Sequence, residues 1–278
     1  MDIGLGGMAM KNILKIMLMM ITIFTIAGSA VYAAEIPVSD QDQLITSNDW
    51  TEISNLQDEM KKEEPDATID YDKALKVYVD CNLIKLQTAD TKKLTSALES
   101  ANYVWVIPFK MEKTYGMFTV AKGLPLREEA KSVLTKAEQE EVKNHAGKWM
   151  ITEIAEHTVE PYYDILLEKR EALSDCTRVV LVGSQPGMRQ PVALGMDDET
   201  ARIWISLGYQ YPVMEKIPET QNVESGVYSF DSVAEISDTY IEDSEVSTGV
   251  GVQSRSSMKY VAGIGIVLIG GILILSVL

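Results

Sequence analysis

The chain has few of the side chains that most often bind metals or carry catalysis. It contains only two histidines, His145 and His157, and they do not form the His-Glu-x-x-His pattern of zinc hydrolases. His145 falls in the last turn of a predicted helix, where a partial positive charge suits the helix dipole. For His157 we expect a surface or packing role. The sequence therefore predicts no metal and no cofactor.

Motifs for nucleophilic catalysis are also missing. In Gly183-Ser184-Gln185-Pro186-Gly187 the serine is displaced from its place in the Gly-x-Ser-x-Gly elbow. Ser256 and Lys259 match Ser-x-x-Lys, but no partner motif accompanies them. There is no dinucleotide fingerprint, phosphate loop or calcium loop. We therefore predict no catalytic residue.

Cys81 and Cys176 are the only two cysteines. If the protein is exported, an oxidising compartment favours a disulfide between them over a metal site, which would need more ligands. The alternative is two buried thiols, because Cys81 falls on the apolar face of a predicted strand.

Positive charge is in short supply. Asp and Glu number 41 against 25 Lys and Arg, for a formal net charge of -16. This balance argues against a nucleic-acid partner and against a closely apposed anionic lipid surface, because both would be repelled.

The first 33 residues have the pattern of a secretory signal peptide. Lys11 and Lys15 precede the apolar run 16–26, and Val31-Tyr32-Ala33 is a small-x-small cleavage pattern. An uncleaved anchor helix is the alternative. Both interpretations place the chain that follows on the extracytoplasmic side of a membrane.

The C-terminal end is apolar as well. Residues 260–278 are predicted to be a transmembrane helix, because no charged residue follows Lys259. The lipid bilayer is thus an expected partner. The tail could instead be a signal for a glycolipid anchor, with small residues at Ser247, Gly249 and Gly251. The absence of any Asn-x-Ser/Thr acceptor favours a bacterial membrane protein over that alternative.

Between the two ends we expect a polar lead-in (34–72), an extracytoplasmic α+β domain (73–217) and an acidic stalk rich in Ser, Thr and Gly (218–259). The domain has the patterns of a mainly antiparallel sheet with packed helices. Strands are predicted at 75–83, 103–107, 115–122, 149–158, 178–182, 192–196 and 201–207. Helices are predicted at about 50–60 in the lead-in and at 91–101, 126–134, 136–146 and 162–173 in the domain. The helix 136–146 opens with the capping box Thr135-Lys136-Ala137-Glu138.

Two stretches of the domain have the same order of predicted helices and strands. Residues 98–123 and 173–195 each run from a helix end through an apolar strand into a second strand that ends in Gly. This similarity suggests a diverged tandem strand-helix-strand-strand repeat.

The loop 183–191 is the most unusual connection in the domain. Its glycines free the backbone, Arg189 could hold an anion, and Gln185 could donate or accept hydrogen bonds. Gln185 and Arg189 are the ligand-binding candidates, although a turn between two strands also explains the loop.

The architecture and the missing motifs together suggest a non-enzymatic role. We expect a membrane-anchored binding or accessory module that contacts an extracytoplasmic protein, a peptide or a cell-wall component. The alternative is an extracytoplasmic hydrolase that acts through carboxylates on a cell-wall or peptide substrate, which would require a deep pocket with two facing acids.

Overall fold

A computed structural model describes most of the chain between Ile36 and Ser244. The described residues are 36–157, 160–183, 185, 188, 190–208, 214–218, 222–244, 268–269 and 272–273. The predicted signal peptide lies outside them.

A single mixed sheet organises the fold. Its strands are β1 (Thr68–Ile69), β2 (Leu75–Tyr78), β3 (Tyr103–Lys110), β4 (Tyr115–Lys122), β5 (Trp149–His157), β6 (Arg178–Val182), β7 (Val192–Met196), β8 (Ala201–Ser206), β9 (Asn222–Glu224) and β10 (Val227–Ser229). Their order is β5-β4-β3-β2-β6-β7-β8-β10-β9, and β1 pairs with the end of β3. Of the pairs in this sheet between described strands, only β2 with β6 is parallel. The predicted α+β class with mainly antiparallel pairing is confirmed.

Short helices pack on this sheet or lie beside it. They are α1 (Trp50–Ile53), α2 (Gln57–Glu63), α3 (Thr91–Glu99), α4 (Glu128–Lys131), α5 (Lys136–His145), α6 (Tyr162–Glu168) and α7 (Phe230–Ser244). The fold also includes single turns of 3-10 helix, among them Asp40–Asp42, Leu44–Thr46, Ser54–Leu56, Tyr71–Lys73 and Ile84–Leu86. The capping box of α5 is present as predicted, with Thr135 and Glu138 bonded to each other's backbone N–H.

The core lies on both faces of the sheet. One face carries a cluster under α3 and α7, which includes Trp204 and Phe230, and a second cluster under the N-terminal helices, which includes Trp105. The opposite face carries a third cluster with Val77 and Leu181, against α6. Strand β2, at the centre of the sheet, is therefore buried on both faces, whereas its sequence alternation predicted a half-buried strand.

Strand β2 is also shorter than predicted. It ends at Tyr78, because Asp80 adopts a left-handed conformation (φ 56°) that an extended strand cannot contain. The Asp80 carboxylate accepts a hydrogen bond from the Asn102 backbone N–H at 3.0 Å, which holds this turn against the start of β3.

The segment 36–72 is part of the core. Leu44, Ile53 and Met60 are fully buried, and Gln43 forms an isolated bridge with Leu75 of β2. The core thus begins well before Lys73, where the sequence pattern placed its start.

Residues 222–244, expected in the stalk, belong to the fold as well. Strand β10 pairs with β8, and α7 follows it directly. Val227, Phe230 and Val233 are buried in the core. Their burial explains the structure of a segment whose Ser, Asp and Glu content suggested an extended chain. Residues 245–259 lie outside the described part.

The two predicted repeat units differ in their strand pairing. In the first, β2 precedes α3 and pairs with β3. In the second, β5 precedes α6 but pairs with β4 at the sheet edge, and β6 pairs with β2 instead. The two units thus share their order of elements, but the first strand of each unit pairs with a different partner: β2 pairs with β3 of its own unit, whereas β5 does not pair with β6.

Cys81 and Cys176 are free and buried. The structure does not pair them in the predicted disulfide, and their side chains belong to clusters on opposite faces of the sheet. Cys176 packs so closely on Gly195 that a side-chain carbon there would lie 2.8 Å from its Sγ. Burial raises the pKa of each thiol to about 11.

Within the described part of the chain, no helix has both the length and the apolar character needed to cross a membrane. Of the predicted membrane helix, only Leu268–Ile269 and Ile272–Leu273 are described, and they pair as two short antiparallel strands, β11 and β12. The described residues thus do not confirm the predicted membrane helix.

Candidate binding site

Asp42 is a buried carboxylate at the centre of a polar cluster. It is 2% exposed and accepts hydrogen bonds from the Ser39 hydroxyl (2.6 Å), the Tyr78 hydroxyl (2.7 Å) and Nη2 of Arg178 (3.1 Å). Lys76 Nζ lies 3.7 Å from its Oδ1. A buried carboxylate needs such partners, because its desolvation is otherwise costly.

The sheet explains why these residues meet. Lys76 and Tyr78 are two apart on β2, so both point to the same face. Arg178 reaches that face from the neighbouring strand β6. The segment that carries Asp42 is held across these strands by a bridge between Val38 and Val179 and by a hydrogen bond from the Leu44 N–H to the Ala74 carbonyl (3.2 Å).

Lys76 is largely buried against aromatic rings. Its Nζ lies 4.6 Å from the centroid of the Tyr103 ring and 5.2 Å from that of Trp105, and the residue is 9% exposed. Burial lowers the pKa of Lys76, while the carboxylates of Asp42 and Asp49 act in the opposite direction. Contact with ring faces partly replaces the water that the ammonium has lost.

Asp49 holds the aromatic side of the cluster. Its Oδ2 accepts hydrogen bonds from the Tyr103 hydroxyl and from the Trp105 indole N–H, both at 3.0 Å. Tyr103 and Trp105 lie opposite Tyr78 and Lys76 in the ladder between β3 and β2. Burial raises the pKa of Tyr103 to about 12, and the hydrogen bond to Asp49 adds to this effect.

A cleft of about 350 Å³ opens beside Lys76, and we call it the Lys76 cleft. Its lining is polar: Gln41, Thr46, Ser47, Asn48, Asp49, Lys76 and Tyr103. It thus offers one cation, one carboxylate, two amides and three hydroxyls to a ligand. Its volume is at the lower end of the range for small-molecule sites.

A second cavity of about 270 Å³ lies between the turn Ile84–Leu86 and helix α7. Ile84 and Phe230 contribute apolar surface, and the exposed carboxylates of Asp231 and Glu235 lie one helical turn apart. It contains no buried charged side chain, which distinguishes it from the Lys76 cleft.

Of the two ligand-binding candidates from the sequence, Gln185 lines neither cavity. Gln185 is 3% exposed, donates to the carbonyls of Cys81 (2.6 Å) and Gly183 (2.9 Å), and accepts from the Leu83 N–H (3.0 Å). Its amide thus fastens the loop to the segment after β2. Arg189 lies outside the described residues.

No local sequence motif marks Asp42, Asp49 or Lys76 as site residues. The two aspartates lie in the predicted lead-in (34–72), and Lys76 lies in the strand predicted at 75–83. A lysine beside Tyr78 in an otherwise apolar strand was the available signal, but its partners are distant in the chain.

In the described ranges, no cluster of three His, Cys, Asp or Glu side chains could hold a metal ion. Comparison with known proteins finds no family model, no curated protein and no solved structure that matches this chain.

Proposed function

We propose that this chain is a membrane-anchored, extracytoplasmic module that binds a small polar ligand in the Lys76 cleft. The observation that carries the proposal is a nearly buried ammonium at a cleft lined by polar side chains. A buried charge is costly to maintain, and perturbed ionisable groups in clefts are concentrated at functional sites.

The chemistry of the cleft indicates the ligand's groups. Lys76 can donate to a carbonyl or carboxylate oxygen, and Asp49 can accept from an amine or hydroxyl. Free peptides and the peptide or sugar parts of a cell wall carry such groups. Export and membrane attachment rest on the signal-peptide pattern and the apolar C-terminal end. A folded extracytoplasmic protein could present the same groups on an exposed chain end.

We favour binding over the carboxylate hydrolase. Asp42 and Asp49 both lie near Lys76, but Asp42 is enclosed by Ser39, Tyr78 and Arg178. Asp49 Oδ2 already accepts two hydrogen bonds from the protein. A catalytic pair would need both acids to face a substrate.

The test is thermal unfolding of the detergent-solubilised full chain with diglycine, N-acetylglucosamine or acetate as the added compound. We expect at least one to raise the melting temperature in a saturable way. At a ligand concentration of 100 times Kd, binding adds about 2.7 kcal/mol to stability. Failure of all three compounds would count against this ligand class.

The matched variants are Lys76→Met and Lys122→Met. Lys122 is exposed and also lies over an aromatic ring, that of Trp149 at 5.4 Å, but it is outside the cleft. The ligand-induced shift should disappear in Lys76→Met and persist in Lys122→Met. Equal shifts of the melting temperature in both variants would show that the compound does not bind in the Lys76 cleft.

A further inference from the structure

The amine of Lys76 has few polar contacts for a buried charge. Its described polar partner is Asp42, at 3.7 Å from Nζ, which is an ion-pair distance beyond the usual N–H···O hydrogen-bond range. The rings of Tyr78, Tyr103 and Trp105 surround Nζ at 5.8, 4.6 and 5.2 Å from their centroids. Among the described residues, the nitrogen thus has the Asp42 carboxylate and the aromatic rings as partners, without a hydrogen bond of the usual length.

The same nitrogen borders open space. Lys76 and Tyr103 both line the Lys76 cleft, so a small ligand there would lie against the ring and the amine together. A desolvated lysine in a cleft is the arrangement by which proteins make an amine nucleophilic.

We propose that Lys76 is a reactive amine that forms an imine with a small aldehyde or ketone held in the Lys76 cleft. This inference rests on the proposed function, because the carbonyl compound must first occupy that cleft.

The reaction balances without an oxidant or reductant. The neutral amine uses its nitrogen lone pair to attack the carbonyl carbon, and the carbonyl oxygen takes up a proton. The carbinolamine then loses that oxygen as water, whose two hydrogens balance the two protons that the nitrogen gives up, and a C=N bond replaces the C=O bond. The proton that the ammonium releases beforehand goes to solvent or to Asp42, whose Oδ1 is the nearest described carboxylate oxygen.

The charged and titratable groups around Lys76 come from several elements. Arg178 on β6 acts with burial to lower the pKa of Lys76, whereas Asp42 and Asp49 oppose that change. The hydroxyls of Tyr78 and Tyr103 keep their protons near neutral pH, because burial raises both pKa values. A larger fraction of Lys76 is therefore the neutral amine than in a lysine surrounded by water, where the pKa is about 10.4.

The experiment is reductive trapping in the wild-type full chain. The protein is treated with acetaldehyde and cyanoborohydride at pH 6, 7 and 8, and ethylated lysines are identified by peptide mass spectrometry. Lys76 and Lys122 are compared in the same molecules, so the comparison does not depend on the folding of a variant. We expect Lys76 to be ethylated several-fold faster than Lys122 at each of the three pH values.

Two variants check the assignment. Lys122→Arg should leave the rate at Lys76 unchanged, and Lys76→Arg should abolish the fast phase of total ethylation. A rate at Lys76 equal to or below that at Lys122 at every pH would overturn the inference. A protein that is stabilised by a ligand in the thermal test but is not ethylated faster at Lys76 would contradict imine formation and leave the proposed binding function in place. The two experiments therefore separate failure of this inference from failure of the proposed function.

Discussion

Asp42 is the side chain on which the arrangement of the polar cluster depends. Its carboxylate is the shared partner of Lys76 and Arg178, two cations from neighbouring strands of the sheet. Burial of such a group is tolerated only while the charges remain paired. Removing the Asp42 carboxylate therefore destabilises the fold by more than the loss of its own contacts, because Lys76 and Arg178 then stay desolvated without their partner.

We predict that Asp42→Asn lowers the free energy of unfolding by about 3–5 kcal/mol, the range for breaking a buried ion pair. Urea denaturation of the wild type and the variant measures this difference. Asp40→Asn is the matched control, because Asp40 is exposed in the same 3-10 turn. The control should change stability by no more than about 0.5 kcal/mol. A loss for Asp42→Asn as small as that of the control would show that the cluster does not stabilise the fold.

Helices α3 and α5 have similar caps but different surroundings. The Asp90 side chain accepts hydrogen bonds from the N–H groups of Lys92 (3.0 Å) and Lys93 (3.1 Å) at the start of α3. At the start of α5, the Thr135 hydroxyl accepts from the Glu138 N–H, and the Thr135 N–H donates to the Glu138 carboxylate. Leu94 and Leu98 bury one face of α3, whereas α5 has no buried residue. Only α3 is therefore coupled to the core.

We predict that Asp90→Ala lowers the global free energy of unfolding by about 1 kcal/mol, as is typical for a lost N-cap. Thr135→Ala should leave global stability nearly unchanged and instead increase hydrogen exchange within α5, because a solvated helix can open locally. Denaturation and amide exchange of both variants measure the two effects. Equal global losses would mean that α5 unfolds together with the core.

At the scale of the whole molecule, the described fold starts close to the predicted processing site. Ile36 is 3% exposed and packs in the core, two residues after Ala34, where the mature chain is expected to begin. Signal cleavage there would leave the core complete. The other end of the fold is α7, and the predicted membrane segment begins at residue 260, after a connection outside the described part.

We predict that the protein extracted from native membranes has the intact mass of a chain from about Ala34 to Leu278. Both thiols should resist alkylation while the protein is folded, because they are buried and their pKa values are raised to about 11. Both should react after unfolding without reductant. A tail replaced by glycolipid would contradict the bacterial membrane helix, and thiols that react only after reduction would contradict the free cysteines.

Short-range patterns determined much of the secondary structure. The alternation in β2, the apolar run of β3 and the capping box of α5 each depend on residues within a few positions, so they could be found from the sequence. Where short-range patterns failed, longer-range packing was the cause. Segments 36–72 and 222–244 are polar in composition, yet a few well-spaced apolar residues bury them against the sheet.

The candidate site was decided by tertiary structure alone. Asp42 is separated from Arg178 by 136 positions and from Tyr78 by 36, and no local pattern relates them. Alternation on β2 determines that Lys76 and Tyr78 share a face, but not what covers that face. The parallel pairing of β2 with β6 and the N-terminal segment laid across both strands bring the charges together. Burial, which makes Lys76 unusual, follows from that packing.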